Sequence, residues 1–536
     1  MQDHWVHERT IGSLLDVKAK ENGDLPFVFF EDRVISYRQL NNIANAVASF
    51  FFGLGVKKGD PVCIMLPNCL EYIYTWMGLS KLGAVKVPIN VAHNGELLAY
   101  FINQCGASII ITEDTSAAKL NIIRNKVPNL STVITCNIGN REPCESYKGF
   151  KVYAFSDLYD GDPNFTVSYP IYEYDPFCIL YTSGTTGVSK GVVLPNNYAV
   201  FNGETIAYIA ELTKNDIVYC CLPLFHGHAS LLSFIPSMIV DAKFVLGRRF
   251  SASTFWDTIR NYKVTAFNAL GGIVPILYKQ EQYQNDIDNN VRVCIGMAPE
   301  NIWDQFENRF GLTIIEGYGS TESGLLTYNT FNNRKKASMG RINPAYDVSI
   351  VDENDYEVSA GIIGEVVSRP KHPWTMMTGY YNMPAETSKA FNNLWFHTGD
   401  YAFCDKDGFY FFVDRKKDSI RHKGENISSF EVEQIINLHP SVLESAAIGV
   451  KSEIEDEEVK VVIVLKPGKR LPPEELIKFC NDNMAYYMVP RYVEFCSELP
   501  KTSTEKIEKN KLKEDGINMK TWDRVKAGFN LRREDS

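Results

Sequence analysis

An apolar run, Phe177-Cys178-Ile179-Leu180-Tyr181, delivers the chain straight into Thr182-Ser183-Gly184-Thr185-Thr186-Gly187-Val188-Ser189-Lys190-Gly191. A strand that ends in residues this small continues as a tight loop whose backbone N–H groups lie open, since no bulky side chain shields them. Hydroxyls on Ser183, Thr185 and Thr186 add donors, and Lys190 adds a mobile positive charge. The run therefore reads as a cradle for a polyphosphate. A flexible turn between two strands is the alternative for any glycine-rich loop taken alone. The Walker A pattern needs Gly and Lys adjacent with Ser or Thr following, whereas Val188 and Ser189 separate Gly187 from Lys190, so an ordinary P-loop NTPase is disfavoured.

The chain has 536 residues, more than one ordinary core organises, which predicts a large body plus at least one further unit. Hydrophobic residues at 45% and charged residues at 22% describe a globular protein. A formal charge of -10 argues against a nucleic-acid partner, which would require a basic face. Residues 1–9 are polar with no apolar segment behind them, and the most apolar stretch, 231–240, is interrupted by Ser233, Pro236 and Ser237. Neither a signal peptide nor a transmembrane segment is expected. The twelve cysteines are scattered without a Cys-x-x-Cys pair, which points to reduced thiols and a cytoplasmic setting. His226 and His228 lack a third ligand cluster, so no zinc site is read there.

Helical periodicity at Leu40, Ile43, Ala44, Val47, Ala48, Phe51 and Phe52 alternates with β-branched runs at 85–88 and 108–112, the pattern of an α/β fold. The charged stretch 414–424 follows the apolar run 410–413 and reads as a connector. Beyond it, 430–438 and 473–484 read as helices, and 446–450 and 459–465 as strands, giving a small α+β domain. The division predicted is a large multilayer N-terminal domain of sheets and helices, 1–416, and a C-terminal domain, 417–536. The charge-rich end, from about residue 520, reads as a surface helix or frayed tail.

Further motifs follow the loop in a fixed order: Leu222-Pro223-Leu224-Phe225-His226, Glu316-Gly317-Tyr318-Gly319-Ser320-Thr321-Glu322, Trp395-Phe396-His397-Thr398-Gly399-Asp400, Asp414-Arg415-Lys416-Lys417-Asp418, and Pro500-Lys501-Thr502 leading to Lys506. With the loop, they resemble the adenylate-forming superfamily of acyl-CoA synthetases, nonribosomal-peptide adenylation domains and luciferases. The resemblance spans nearly the whole chain. Residues 414–420, Gly424-Glu425-Asn426 and Phe479-Cys480-Asn481-Asp482-Asn483-Met484-Ala485 are similar to the branch containing carnitine and crotonobetaine ligases.

The resemblance implies ATP-dependent ligation of a carboxylic acid to coenzyme A through an acyl-adenylate, with Mg2+ as helper. It assigns Thr182, Ser183, Gly184, Thr185, Thr186, Gly187 and Lys190 to the phosphates, Thr321 to the α-phosphate and Glu322 to the metal. Tyr318 would stack on adenine, within Glu316, Gly317 and Gly319 and opposite Gly296, Met297, Ala298 and Pro299. Asp400 and Arg415 would take the ribose, a carboxylate being able to accept both hydroxyls. Lys506 would bridge the acid and the α-phosphate. Its C-terminal domain would be mobile, hinged at Lys417, and would turn Lys423 and Gly424 toward the pantetheine chain, with His226 guarding the passage between acyl pocket and thiol tunnel. His397 is left as a structural residue.

The chain departs from the family pattern at Glu505, where many members have glycine, at Ser189 in place of proline and at Asn196 in place of histidine. Acyl-pocket positions are expected near Phe225, His226, Phe267, Asn268, Gly271 and Met297, for a small or medium acid. Transfer to a carrier-protein thiol or an amine, a catalytically weak nucleotide-binding homologue and, remotely, luciferase-like oxidation remain as alternatives. Whether the chain is a monomer or a homodimer stays open.

Overall fold

The structure, a computed structural model, describes residues 7–138, 146–182, 189–270, 273–298, 302–415, 419–422, 425–451, 457–500, 507 and 509–529. Two large sheets organise the body. In the first, Pro61–Met65, Val85–Pro88, Ile109–Glu113 and Thr132–Cys136 run parallel, because helices such as Leu70–Leu82 and Gly95–Cys105 return the chain between them. Pro176–Thr182 lies beside Val85–Pro88 and pairs antiparallel with Lys190–Pro195. Thr182 thus sits opposite Lys190, and the two face each other at the base of the glycine-rich run.

The second sheet has the order Thr313–Ile315, Val293–Gly296, Ala266–Ala269, Ile217–Cys220, Lys243–Leu246, Pro26–Phe30, Arg33–Ser36. Its first six strands pair in parallel and the last returns antiparallel. The predicted amphipathic helix is Tyr37–Gly53, opened by a Ser36–Gln39 capping box that satisfies otherwise orphaned backbone donors. It buries Leu40, Ala44, Val47, Ala48 and Phe51. Phe52, expected on the same face, is 53% exposed and instead meets Phe165 in a surface ring pair at 5.3 Å. At the centre of the largest core, Phe234 packs against both Phe27 and Trp76.

An antiparallel sheet follows, in which Trp395–Cys404 pairs with both Gly364–Pro370 and Tyr410–Arg415. The chain then forms a hairpin, Ser419–His422 with Glu425–Ser428, and a four-stranded sheet flanked by helices Ser429–Asn437 and Pro473–Asn483. These are the elements read from the sequence after the connector, with strands extended to Val442–Lys451 and Glu457–Leu465. The C-terminal segment differs from expectation. Trp522–Asp523 is a short strand beside Tyr492–Cys496, fixed by the Asp523 carboxylate against Arg491. Its charge belongs to this buttress, which is why composition concealed the strand. Among the described residues no helix is long and apolar enough to cross a membrane.

Candidate active site

A cavity of about 1890 Å³ opens where the two large sheets, the antiparallel sheet and the C-terminal hairpin converge. Its walls include Thr182, Lys190, His226, Gly296, Met297, Glu316, Gly317, Tyr318, Gly319, Thr321, Glu322 and Asp400. Residues more than two hundred positions apart in the chain are therefore brought to one place.

Two of the glycines are required by packing. A Cβ on Gly296 would stand 2.1 Å from the Ala269 carbonyl oxygen of the adjacent parallel strand. One on Gly319 would stand 2.0 Å from the Gly324 carbonyl oxygen across the hairpin that ends in Thr321 and Glu322. Both positions keep the backbone close enough to form a narrow wall.

In one wall of the cavity the Tyr318 hydroxyl donates to Asp400 Oδ2 at 2.8 Å. Asp400 is 7% exposed and lies in register opposite Arg415, so the connector begins directly beside this carboxylate. Behind it, Glu365 accepts from the Gly399 N–H at 3.1 Å and meets His397 Nδ1 at 3.3 Å. His397 is thus a strut for the Asp400 turn. Burial pushes the Glu316 carboxyl up to about 8, with Arg421 opposing the rise. Ala298 is buried beside Met297.

Elsewhere in the lining, Glu322 Oε1 accepts from Tyr380 at 3.1 Å and lies 3.5 Å from the Thr182 hydroxyl. Lys190 Nζ lies 2.8 Å from Glu386 Oε2 and 4.8 Å from the centre of the Tyr380 ring. Lys190 and Lys389 hold the Glu386 carboxyl down to about 2. Tyr380 and Glu386 were missed in the sequence. Their signal exists only in pairing, Tyr380 standing opposite Val192 on the strand that carries Lys190. One carboxylate with two hydroxyls is a sparse donor set, and no group of three metal-binding side chains occurs among the described residues. Such a set suits a magnesium ion that takes most of its oxygen ligands from phosphates and water.

Where the C-terminal hairpin meets the cavity, the His226 ring nitrogen Nε2 donates to Glu425 Oε1 at 3.0 Å. Burial works against the imidazolium, but the Glu425 carboxylate outweighs it and the ring's pKa is raised. The ring of His228, by contrast, is driven down to about 4 by burial and by His226 and Arg421. Nearby, the Ser189 hydroxyl donates to the buried Glu431, whose carboxyl burial lifts to about 7. The Arg421 guanidinium reaches Met297 Sδ at 3.5 Å, and Asn90 donates to the Tyr487 hydroxyl at 3.4 Å. The hairpin therefore faces the cavity, and helix Ser429–Asn437 is bolted to the strand after the glycine-rich run.

Phe267 and Asn268 do not line the cavity: Phe267 is fully buried in the core, and the Asn268 amide donates to the Leu232 carbonyl at 2.9 Å. Leu270, two residues on, takes their place. Ser183, Gly184, Thr185, Thr186, Gly187, Gly271, Pro299, Lys417, Lys423, Gly424, Glu505 and Lys506 lie outside the described residues, as does the side chain of Arg415.

The family model described as AMP-binding enzyme matches residues 15–381, well over half of the chain. The chain belongs to the AMP-binding enzyme family. The model described as AMP-binding enzyme C-terminal domain matches residues 431–506. Crotonobetaine/carnitine--CoA ligases of Salmonella heidelberg and Salmonella typhi are similar to this AMP-binding enzyme, at 34% and 33% identity, each covering 95% of this chain and 99% of its own. Among solved structures, an anthranilate CoA ligase in complex with anthranoyl-AMP superposes with a TM-score of 0.71 at 26% identity, covering 96% of this chain and 98% of its own. An o-succinylbenzoate CoA synthetase from Bacillus subtilis shares the fold at a TM-score of 0.80 and 23% identity, covering 94% and 98%.

Proposed function

We propose that this AMP-binding enzyme is an ATP-dependent acid–CoA ligase. A carboxylate attacks the α-phosphorus of ATP and expels pyrophosphate; the CoA thiol then attacks the acyl carbon and expels AMP. The observation that carries this reading is the convergence of three groups on one cavity: Tyr318 with Asp400, Thr182 and Glu322 with Lys190, and His226 with Glu425.

Each group then has work suited to its chemistry. Asp400, with Arg415, holds the ribose hydroxyls, the Tyr318 ring lies on adenine, and Gly296, Gly317 and Gly319 let the backbone approach the base. Ser183, Gly184, Thr185, Thr186 and Gly187 hold the phosphates, and Lys190 leaves Glu386 to join them. Thr321 donates to the α-phosphate, and Lys506 neutralises the meeting of two anions. Glu322 would hold Mg2+, which supplies charge compensation on the phosphates. The body, 1–416, and the C-terminal domain, 417–536, turn about Lys417, and Lys423 and Gly424 line the thiol passage.

The facing of Glu425 toward His226 supports the thioester-forming arrangement for this structure. Similarity to CoA ligases favours CoA over a carrier protein or an amine as acceptor. The scattered thiols support a cytoplasmic setting. Mass spectrometry of products formed from an acid library with ATP, magnesium and CoA tests the reading. AMP release that requires CoA is the expected result; tight ATP binding with no acid-dependent pyrophosphate exchange would identify a nucleotide-binding homologue instead.

A further inference from the structure

Ser189 and Glu431 come from distant parts of the chain and are each 3% exposed. Ser189 directly precedes Lys190, where the glycine-rich run passes into the strand Lys190–Pro195. Its carbonyl accepts from the Tyr100 hydroxyl at 2.8 Å, which ties this point to the helix Gly95–Cys105. Glu431 lies in the first turn of Ser429–Asn437, where the helix dipole favours a carboxylate. The Ser189 hydroxyl donates to Glu431 Oε1, and both residues line the cavity.

The strand Glu425–Ser428 runs straight into that helix, so Glu425 and Glu431 belong to one unit. Through them the unit meets the body at two separate places, His226 and Ser189. The contacts differ in kind. The His226 and Glu425 side chains are 38% and 23% exposed, within reach of water. Ser189 and Glu431 are closed off, and burial lifts the Glu431 carboxyl to about 7 while the serine hydroxyl and backbone N–H oppose the rise.

A carboxylate seated in this way has two states open to it. Seated, it has given up its hydration and keeps the serine donors; withdrawn, it loses the serine and regains water. An aliphatic contact has no such compensation on leaving and would favour the seated state alone. The pair therefore fixes where the unit sits while leaving the seat reversible, and its strength depends on what residue 189 donates. Serine supplies a hydroxyl and an N–H, alanine only the N–H, and proline neither.

Resting on the ligase reading above, we infer that Ser189 and Glu431 are positioning residues for thioester formation: their hydrogen bond holds the hairpin and its helix against the cavity while CoA reacts, and parts when the C-terminal domain turns to adenylate the acid.

The test is the series Ser189→Thr, Ser189→Ala and Ser189→Pro with Glu431→Gln and Glu431→Ala, each checked for folding by thermal melting. Acid-dependent pyrophosphate exchange is measured with butanoate, octanoate, benzoate and crotonobetaine. CoA thioester formation is then measured from the supplied adenylate of the acid that exchanges fastest. A unit seated only part of the time binds CoA with an apparent constant raised by the inverse of the seated fraction. The KM for CoA should stay within about twofold of the parent in Ser189→Thr and rise about fivefold or more in Ser189→Ala, with Ser189→Pro higher still. Glu431→Gln keeps the acceptor and should stay near the parent, whereas Glu431→Ala should follow Ser189→Ala. Pyrophosphate exchange should stay within a few-fold throughout. Because proline also constrains the glycine-rich run, the comparison of alanine with threonine decides. Deuterium uptake by the free enzyme reads the seat without any acid: amides of 429–437 should take up label faster in Ser189→Ala and at the parent rate in Ser189→Thr. A folded Ser189→Ala with unchanged KM and unchanged uptake, or with equal loss in both half-reactions, overturns the inference and leaves the ligase standing. Pyrophosphate exchange with none of the acids overturns the ligase reading and the inference with it.

Discussion

His226 Nε2 and Glu425 Oε1 stand 3.0 Å apart, joining the loop that follows one body strand to the C-terminal hairpin. The pair exists at full strength only while the imidazole is protonated and the carboxylate ionised. Its pKa raised by Glu425, the ring keeps its proton further into neutral pH than a free histidine. Glu425 ionises at lower pH than usual because His226 outweighs the burial that opposes ionisation. The contact is therefore lost as pH rises through the raised His226 value and as it falls through the depressed Glu425 value. Glu425→Gln should slow thioester formation from supplied acyl-adenylate about tenfold, the order expected for a charge-assisted hydrogen bond, and should flatten the alkaline fall in rate. Pyrophosphate exchange should change far less. Equal loss in both half-reactions would remove the pair from the thioester arrangement.

Asp400 accepts from Tyr318 at 2.8 Å, so a ribose held by this carboxylate would compete with a tyrosine hydroxyl. Asp400→Ala removes both acceptors and should raise the ATP concentration needed for half-maximal exchange about tenfold or more. Tyr318→Phe keeps the ring and releases the carboxylate, so it should move the same quantity by a few-fold at most. ATP titrations of the two variants check this; an unaltered ATP requirement in Asp400→Ala would take it out of the ribose site.

What was legible in the sequence was what local chemistry writes down. The capped helix Tyr37–Gly53, the strand into the glycine-rich run and the helices after the connector each follow from period, cap and turn residues. Asp400, Tyr318 and Glu322 were legible because they sit in compact motifs. Tyr380 and Glu386 were not, since what makes them matter is Lys190 and Glu322 arriving from other elements. Along the helix Asn196–Ile209, Tyr198, Asn202, Ile206 and Ile209 are periodic, but nearly the whole helix is buried, so periodicity alone does not tell the cavity side from the core side.

The role proposed for Lys506 divides the two half-reactions most clearly. An ammonium that bridges the acid and the α-phosphate acts when two anions meet and is idle once the adenylate exists. Lys506→Ala should cut pyrophosphate exchange by about a hundredfold or more, while thioester formation from supplied acyl-adenylate stays within a few-fold. Single-turnover assays of each half separate these. A parallel loss in both halves would assign the lysine a structural role.

Glu316 offers a test that depends on folding rather than turnover. Its carboxyl is 9% exposed, and burial pushes its pKa up to about 8 against the opposing charge of Arg421. The unfolded chain ionises the same group near 4.3. Because the folded value is the higher one, the native state holds the proton more tightly, and stability is greatest below the unfolded value. It is lost as pH rises between the two, by an amount on the order of 5 kcal/mol if the other groups are unchanged. Glutamine keeps the shape and the neutral state without a proton to lose. Glu316→Gln should therefore melt close to the parent at pH 5 and several degrees above it at pH 9. Thermal unfolding of both proteins at the two pH values decides the matter, and parallel curves would mean that Glu316 ionises in the folded protein as easily as in water. Arg421 belongs to the hairpin Ser419–His422, so the charge that eases this ionisation arrives with the C-terminal elements. Arg421→Gln should then widen the high-pH gap between Glu316 and its glutamine variant, which ties the titration of a body residue to the seating of the hairpin against it.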